Sequence, residues 1–166
     1  MANPEPLIRR VYAYVAYRIG DGPDAEDVTS ETFERALRYR DSFDSGKGEP
    51  AAWLIGIARR RIGEAFATQP SFAADELDCA AEDFSETSLK RLELRDALRV
   101  LTESDRELLA LRYGADLTAR QIADLLELRT NAVEVALHRA LERLRGEFER
   151  SAATADGEPL PQPVRV

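Results

Sequence analysis

The sequence contains few of the side chains from which catalytic and metal sites are usually built. Among 166 residues there is one Cys, one His and one Trp. With His138 alone, the chain has neither a His-based metal cluster nor a Ser-His-Asp arrangement. The segment Gly46-Lys47-Gly48 is too short for a phosphate-binding loop and lacks the Ser or Thr that would hold magnesium. We therefore expect a protein that is not an enzyme and that needs no cofactor or metal.

Long apolar runs are also missing. The longest run, Ala51 to Ala58, has eight residues, whereas a bilayer-spanning helix needs about 20. The first six residues have neither the basic start nor the apolar core of a signal peptide. The unpaired thiol of Cys79 fits a reducing compartment. The sequence thus predicts a cytoplasmic protein without a membrane segment.

Positive charge is scarce for a protein that would bind nucleic acid by itself. The chain has 23 basic and 31 acidic residues, a net charge of −8, and freestanding nucleic-acid binders are usually basic because they neutralise phosphates. The excess is uneven: residues 71–95 hold 7 acidic and 3 basic side chains, against 11 and 10 in residues 1–70 and 11 and 9 in residues 96–150. Each half is therefore close to neutral, and we expect weak DNA binding by the chain alone.

Apolar residues in the first half recur at helical spacing. Ile8, Val11, Val15 and Ile19 indicate one helix, which the turn residues at 20–23 end. Asp24 is predicted to cap a second helix that ends near Tyr39. The inward face of that second helix is predicted to contain Ala25, Val28, Thr29, Thr32, Phe33, Ala36 and Leu37. Pro50 suits the first position of a third helix that runs to about Phe66.

The second half has the same helical character. Leu94, Leu98 and Leu101 mark one helix, and Thr102 is predicted to cap the next, which Gly114 ends. Thr118 and Gln121 have the spacing of a capping box, and Thr130 is predicted to cap a final helix. The residues predicted to face inward on that final helix are Val133, Leu137, Ala140, Leu141 and Leu144. No strand pattern of useful length is present.

These patterns predict an all-α fold of two small helical domains. The domains span residues 1–66 and 89–150, with a flexible acidic linker at 67–88 and a disordered tail at 151–166. A domain of about 60 residues buries only about 60% of its unfolded surface and is marginal alone. Such a design suits a protein that clamps onto something larger. The helices between Thr118 and Arg145 fit a helix-turn-helix, although an ordinary helical hairpin has the same periodicity.

Several segments resemble a known family. The run Asp24-Ala25-Glu26-Asp27-Val28-Thr29-Ser30-Glu31-Thr32-Phe33, then Phe43-Asp44 and Ala52-Trp53-Leu54-Ile55-Gly56-Ile57-Ala58-Arg59, resembles the second region of the extracytoplasmic-function (ECF, group IV) sigma factors of bacterial RNA polymerase, in the sigma-70 family. The second half of the chain resembles the fourth region of the same sigma factors. The resemblance lies in Leu101 to Tyr113, Thr118 to Ala123, Val133 and Leu137-His138-Arg139-Ala140. The two matches occur in the family's order, with a linker between them, and cover about 140 residues.

The resemblance implies roles for the first domain. The second helix would dock on the coiled coil of the polymerase clamp, through Asp27, Glu31, Phe33, Glu34 and Arg35. The third helix and the loop before it would bind the melted minus-ten promoter element. The residues implied for this DNA are Phe43, Asp44, Ser45, Lys47, Trp53, Arg59, Arg60 and Arg61. The three consecutive arginines spread over about 200° of helix, so at most two share one side. Two roles stay open for Trp53: it is a core or wedge residue, or it stacks on a DNA base.

The resemblance also implies that the second domain binds a minus-35 element and the polymerase flap. The residues implied for this DNA are Arg120, Arg129, Thr130, Asn131, Glu134, His138 and Arg139. The recognition helix departs from the family pattern, because Ala132, Glu134, Val135 and Ala136 stand where small polar and basic residues are usual. Two interpretations stay open: Glu134 and Val135 read a different base pattern, or the apolar residues form a protein-binding patch. Glu127 occupies a turn position where Gly is usual, which implies another turn conformation or some strain.

The partners implied are core RNA polymerase, promoter DNA and an anti-sigma factor, with no membrane and no small-molecule substrate. The acidic linker would thread the polymerase channel or act only as a solvated tether. The leading hypothesis is a sigma factor for promoter-specific transcription initiation. One alternative is a sigma-like protein-interaction regulator with weakened or altered DNA recognition. Another is a small helix-turn-helix repressor that acts without polymerase, which the balanced charge of the second domain argues against.

Overall fold

A computed structural model describes residues 4–68 and 100–155. Within these two ranges the chain forms α helices and no strand, which confirms the all-α prediction. The helices are α1 (Glu5–Ile19), α2 (Pro23–Arg38), α3 (Pro50–Thr68), α4 (Glu103–Leu109), α5 (Ala119–Leu126) and α6 (Thr130–Ala155). A short 3-10 helix at Arg40–Ser42 follows α2, and a π-helical turn at Ala110–Gly114 continues α4. No helix in the described ranges is long and apolar enough to cross a membrane.

Helices α1 to α3 form the first lobe, residues 4–68. Their apolar faces meet in a core that includes Val11, Val15 and Ile55, all fully buried. Two predictions for α2 are wrong. The capping position is Gly22 and Pro23 is the first helical residue, so Asp24 lies within the first turn. Leu37 is 70% exposed because it falls outside the apolar stripe that faces α1 and α3.

Helices α4 to α6 form the second lobe, residues 100–155. The Thr102 side chain caps α4, and Thr118 and Gln121 form the predicted capping box at the start of α5. Thr130 is not a cap: it is the first residue of α6, and the carbonyl of Arg129 accepts the first helical hydrogen bond, from Val133 N at 3.1 Å. Helix α6 runs to Ala155, so the tail predicted from residue 151 begins as helix.

The two lobes pack against each other and share one hydrophobic core. The lobes come close together at Gly114, where an added Cβ would lie 3.0 Å from Tyr14 Cα. Arg10 of α1 donates from Nε to the Ala115 carbonyl at 2.7 Å. The acidic linker, Cys79, Leu94, Leu98 and the tail beyond 155 lie outside the described residues. The described lobes are thus in direct contact. The sequence predicted two domains joined by a flexible linker and did not predict this contact.

Candidate nucleic-acid and polymerase interfaces

The outer surface of α2 carries the residues predicted to bind polymerase. Asp27 and Glu34 are exposed, and Glu31 and Arg35 are partly exposed. Phe33 packs partly against the core, so it supports the fold while leaving an apolar edge at the surface. Because α2 keeps both charge and an apolar edge accessible, its surface is suited to docking on another helix.

Ion pairs join α2 to α3. Glu31 pairs with Arg61, and the Arg35 guanidinium lies 3.0 Å from Glu64. The hydrogen bond from Arg61 lowers the pKa of Glu31, and the hydrogen bond from Arg35 lowers the pKa of Glu64. Arg61, predicted to bind DNA, is therefore held by a residue predicted to bind polymerase.

The loop before α3 has a fixed local structure. Phe43 packs on Trp53 with ring centroids 5.2 Å apart and planes tilted by 49°. The Asp44 carboxylate accepts a hydrogen bond from Gly46 N at 2.9 Å, and Lys47 Nζ lies 3.7 Å from the same carboxylate. Ser45 is exposed. The loop therefore presents polar and charged groups on a turn that is braced by the Phe43–Trp53 contact.

Arg59 and Arg60 share one side of α3, and Arg61 lies on another. A cleft of about 880 Å³ lies between the lobes, and we call it the interlobe cleft. Its walls in the first lobe include Arg18, Tyr39, Trp53, Arg59 and Arg60, but not Arg61. The expectation that at most two of the three arginines share a side is confirmed. Proteins typically bind single-stranded nucleic acid through cationic side chains that lie beside aromatic rings.

Two acidic residues of the second lobe, Glu107 and Glu127, face into the interlobe cleft. The Glu107 carboxylate lies 2.8 Å from Arg59 Nε and accepts from the Tyr14 hydroxyl at 3.2 Å. Burial raises the pKa of Tyr14, and the nearby Glu107 charge raises it further, so this hydroxyl stays a donor. Sequence reasoning missed Glu107 and Tyr14, because a contact across 48 positions between α3 and α4 leaves no local pattern.

Arg18 reinforces the same contact from α1. Its side chain is 7% exposed, with one terminal nitrogen 2.5 Å from Glu103 and 4.0 Å from Glu107. Burial by itself would lower the pKa of Arg18, but the hydrogen bond to Glu103 and the nearby negative charges raise it overall. A charged guanidinium thus meets two carboxylates, one helical turn apart on α4.

The second lobe presents a helix-turn-helix. The seven residues predicted to bind the minus-35 element are all exposed, at positions Arg120, Arg129, Thr130, Asn131, Glu134, His138 and Arg139. Helix α5 ends at Leu126, and the next residue, Glu127, has a left-handed backbone with φ of 56° and ψ of 41°. A left-handed backbone is disfavoured for a residue that has a Cβ atom. Of the two alternatives for Glu127, another turn conformation or some strain, the φ angle therefore favours strain.

A shallow groove runs along the start of α6, and we call it the recognition groove. Its floor is Ala132, Val135 and Ala136, and Val135 is 43% exposed. Its rim carries Arg129, Asn131, Arg139 and Arg143, and Arg143 is paired with the buried Asp105. A groove with arginines around an apolar floor suits DNA, whose phosphates would meet the arginines and whose thymine methyl groups would meet the floor. It equally suits an acidic, amphipathic protein segment.

Among the residues that the structure describes, no three His, Cys, Asp or Glu side chains cluster so as to hold a metal ion. His138 lies 3.3 Å from Glu142, one turn further along α6.

Comparisons with known proteins place both lobes in one family. Residues 5–70 match the model of Sigma-70 region 2, and residues 91–144 match that of Sigma-70, region 4. The chain is 33% identical over 143 residues to the ECF RNA polymerase sigma factor BldN of Streptomyces coelicolor, covering 81% of this chain and 54% of that protein. It is 25% identical over 152 residues to the ECF RNA polymerase sigma factor SigK of Mycobacterium ulcerans, covering 86% and 81%. The chain thus spans about half the length of BldN.

Solved structures share the fold. The sigma factor RpoE of Bartonella quintana, in complex with the anti-sigma factor NepR, superposes with a TM-score of 0.69 at 19% identity, over 88% of this chain and 94% of that one. CnrH, in complex with the cytosolic domain of CnrY, gives 0.60 at 21% identity over 93% and 83%. With region 2 and region 4 models matched in order and curated relatives of the same kind, the chain belongs to the sigma-70 family, among the ECF sigma factors.

Proposed function

We propose that this protein is a sigma factor that binds core RNA polymerase and directs promoter-specific transcription initiation. The observation that carries the proposal is the combination, in one chain, of a region 2 lobe with a cationic and aromatic surface and a region 4 lobe with an exposed recognition helix. The protein would perform no covalent chemistry of its own. It would act in the cytoplasm, where the polymerase works.

In this proposal the exposed surface of α2 docks on the coiled coil of the polymerase clamp. Asp27 and Glu34 point to solvent and take part in none of the ion pairs between α2 and α3. They are therefore available to a partner, whereas Glu31 and Arg35 already have one in α3. Phe33 supplies the apolar anchor beside them.

The two lobes would divide promoter recognition between them. Trp53, Arg59 and Arg60 would hold the melted minus-ten strand, because arginines bind its phosphates and aromatic rings stack on its bases. Arg129 just before α6, and Asn131 and Arg139 on its first three turns, would sit in the major groove of the minus-35 element. The near-neutral charge of each lobe leaves most of the phosphate attraction to the polymerase.

The direct test is a pull-down of core RNA polymerase with the purified chain, followed by promoter-dependent transcription. We expect retention of the polymerase and transcripts that begin at defined sites. The double variant Asp27→Ala/Glu34→Ala should weaken the association about tenfold or more without unfolding the protein. Glu149→Ala, an exposed acid near the end of α6, is the matched control and should leave the association unchanged. Absence of polymerase binding by the wild-type chain would refute the proposal.

A second candidate function follows from the floor of the recognition groove. A region 4 lobe whose exposed floor is Ala132, Val135 and Ala136 suits a sigma-like regulator whose recognition helix binds a protein. An anti-sigma factor is the candidate partner, since a sigma factor of similar fold, RpoE of Bartonella quintana, was solved in complex with one. Glu134→Lys separates the two functions. Promoter affinity should change if α6 sits in a DNA groove and stay flat if it does not.

A further inference from the structure

The recognition groove contains an acid that holds an arginine. Of the described side chains that line the groove, Asp105 of α4 alone is negatively charged. It is only 6% exposed, and its carboxylate accepts a hydrogen bond from Arg143 Nη1 at 2.5 Å. The Asp105 backbone is held as well, because its N–H donates to the capping hydroxyl of Thr102 at 3.2 Å. A buried carboxylate in a fixed position thus meets one nitrogen of a guanidinium on α6.

Most of the Arg143 side chain remains accessible to a ligand. It is 54% exposed, whereas the Asp105 side chain is 9% exposed, so the carboxylate lies on the inner side of the guanidinium. Arg139 lies one turn earlier on α6 and lines the same groove. An arginine presents several donors in a planar fork that matches a phosphate. A fork that is already held at one nitrogen loses less conformational freedom when it binds.

The position of Arg143 along α6 decides which part of a DNA duplex it can reach. Arg143 lies about 20 Å along the helix axis from Thr130, the first residue of α6, at about 1.5 Å per residue. The major groove is only about 12 Å wide, so a helix whose first turns enter the groove has left it by this point. The strands that border the groove present phosphates there. Arg143 is therefore placed to bind the DNA backbone and not a base edge.

We propose that Arg143 is a further phosphate contact of the recognition helix on duplex DNA, and that Asp105 is the residue that positions its guanidinium. The inference rests on the proposed function, because it places duplex DNA in the recognition groove. It extends the DNA-binding surface beyond the residues predicted from the sequence, which end at Arg139. It also gives α4 a part in DNA binding, although no side chain of α4 needs to touch the DNA.

The Asp105–Arg143 pair also ties α4 to α6, so a purely structural role has to be distinguished from positioning. A structural pair affects the stability of the lobe but not the affinity of the folded protein for DNA. Removal of an acid near DNA, through its charge alone, should tighten binding. If Asp105 orients Arg143, its removal should weaken binding. We expect orientation to dominate, because the guanidinium lies between the carboxylate and the solvent from which a phosphate would approach.

Variants of the full chain test the proposal, with a labelled DNA duplex of mixed sequence as the probe. Such a duplex is sufficient because a phosphate contact carries no sequence information. Arg143→Gln removes the cation, Arg143→Lys keeps the charge without the planar fork, and Asp105→Asn removes the carboxylate with little change of shape. Arg145→Gln and Asp124→Asn are the matched controls, because both residues are exposed in the second lobe and neither lines the groove. Fluorescence anisotropy at several low salt concentrations measures the affinity and its salt dependence.

We expect Arg143→Gln to weaken duplex binding about threefold or more and to reduce the slope of log affinity against log salt by about 1. Arg143→Lys should keep the slope and lose about twofold in affinity, since lysine offers only a point charge. Asp105→Asn should weaken binding about twofold, and the double variant Asp105→Asn/Arg143→Gln should match Arg143→Gln, because Asp105 acts through Arg143. Arg145→Gln should stay close to the wild type, and Asp124→Asn should bind no more weakly than the wild type.

Circular dichroism establishes that each variant keeps its helix content. If Asp105→Asn loses helix, Arg143→Lys tests the positioning instead, because it leaves Asp105 in place. The proposal is overturned if Arg143→Gln weakens binding no more than Arg145→Gln, which is the outcome expected when the groove holds a protein segment. It is also overturned if Arg143→Lys binds as tightly as the wild type, or if Asp105→Asn tightens binding. A wild-type chain that binds no duplex at low salt would overturn it too.

None of these measurements uses polymerase, so the two proposals fail separately. A chain that shows the expected effects at Arg143 but binds no core polymerase would refute the sigma-factor proposal alone. A chain that initiates transcription, while Arg143→Gln binds the duplex as Arg145→Gln does, would refute only the contact at Arg143.

Discussion

Arg61 and Glu31 form an ion pair across α2 and α3, which ties a residue implied for promoter DNA to one implied for polymerase. The neighbouring pair Arg35–Glu64 repeats the arrangement at 3.0 Å. The side of α3 that bears Arg61 is therefore occupied by α2. Arg59 and Arg60, on another side, remain for the interlobe cleft. The pairing thus distinguishes Arg61, which is held by α2, from Arg59 and Arg60, which line the cleft.

The first prediction concerns the contribution of Glu31 to stability and its dependence on pH. Because the hydrogen bond from Arg61 lowers the pKa of Glu31 in the folded state, the pair stabilises the fold at pH values above the unfolded pKa of about 4.3. This contribution is lost as the pH falls through the folded pKa. Since the pair is partly exposed, we expect Glu31→Gln to cost at most about 1 kcal/mol at pH 7.

Urea unfolding at pH 7 and at pH 3, followed by circular dichroism, measures this difference. The variant and the wild type should converge at the lower pH. Glu34→Gln, on the same helix and exposed, should change stability little at either pH. An equal loss from both variants would contradict the role assigned to the Glu31–Arg61 pair.

The second prediction distinguishes two threonines at helix starts. Thr118 accepts from Gln121 N at 3.2 Å, and Gln121 also reaches Glu49 of the first lobe at 2.7 Å. Thr118→Ala should therefore cost about 1 kcal/mol of stability. Thr130→Ala is the matched control, because Thr130 is the first residue of α6 and the capping position before it is Arg129. Thermal unfolding of both variants measures the difference, and an equal loss would show that Thr130 caps α6 after all.

These elements show how far the sequence determines the structure. Pro50 and the Thr118–Gln121 pair mark helix starts because their effects are local. Pro50 has no N–H that would be left unpaired in the first turn, and the Thr118–Gln121 pair satisfies backbone N–H groups there. Asp24 was misplaced by two positions, because Pro23 takes the first helical position and leaves Gly22 as the cap. Local cues fix such starts only to within a residue or two.

Contacts between the lobes could not be predicted in the same way. Glu107 and Arg59 are polar residues 48 positions apart, and neither apolar periodicity nor a capping motif marks such a pair. Leu37 was assigned to a buried face, although it is 70% exposed, because a helical stripe identifies an apolar side without saying how widely neighbours cover it. Local patterns thus predicted the elements. The family resemblance supplied the minus-35 candidates, which are exposed in the structure, whereas the packing of the lobes emerged only from tertiary structure.

The third prediction concerns the strained turn between α5 and α6. Glu127 has a left-handed backbone, with φ of 56°, which costs an L residue roughly 1 kcal/mol relative to glycine. Glu127→Gly should therefore raise the stability of the protein by about 0.5 to 1 kcal/mol. The same change at Asp124, an exposed helical residue of α5, should lower stability, because glycine disfavours helix. Thermal unfolding of the two variants should shift the midpoint in opposite directions, and a fall at both positions would contradict the strain.

The fourth prediction concerns Arg129 at the rim of the recognition groove. Arg129 is exposed, lines the groove and precedes α6, where a guanidinium would reach a phosphate beside the major groove. In the polymerase holoenzyme, Arg129→Gln should weaken binding to duplex promoters of different sequence by a similar factor. It should also reduce the slope of log affinity against log salt by about 1, because one fewer counterion is released.

Arg145→Gln provides the comparison for Arg129. Arg145 is exposed on α6 but does not line the groove, so Arg145→Gln should leave both the affinity and the salt slope close to those of the wild type. Filter binding of a labelled promoter across a range of salt concentrations measures both quantities. If Arg129→Gln leaves the slope unchanged while Arg145→Gln reduces it, the helix meets DNA along its later turns. If neither changes it, the groove serves a protein partner, and the apolar floor at Val135 becomes the surface to alter next.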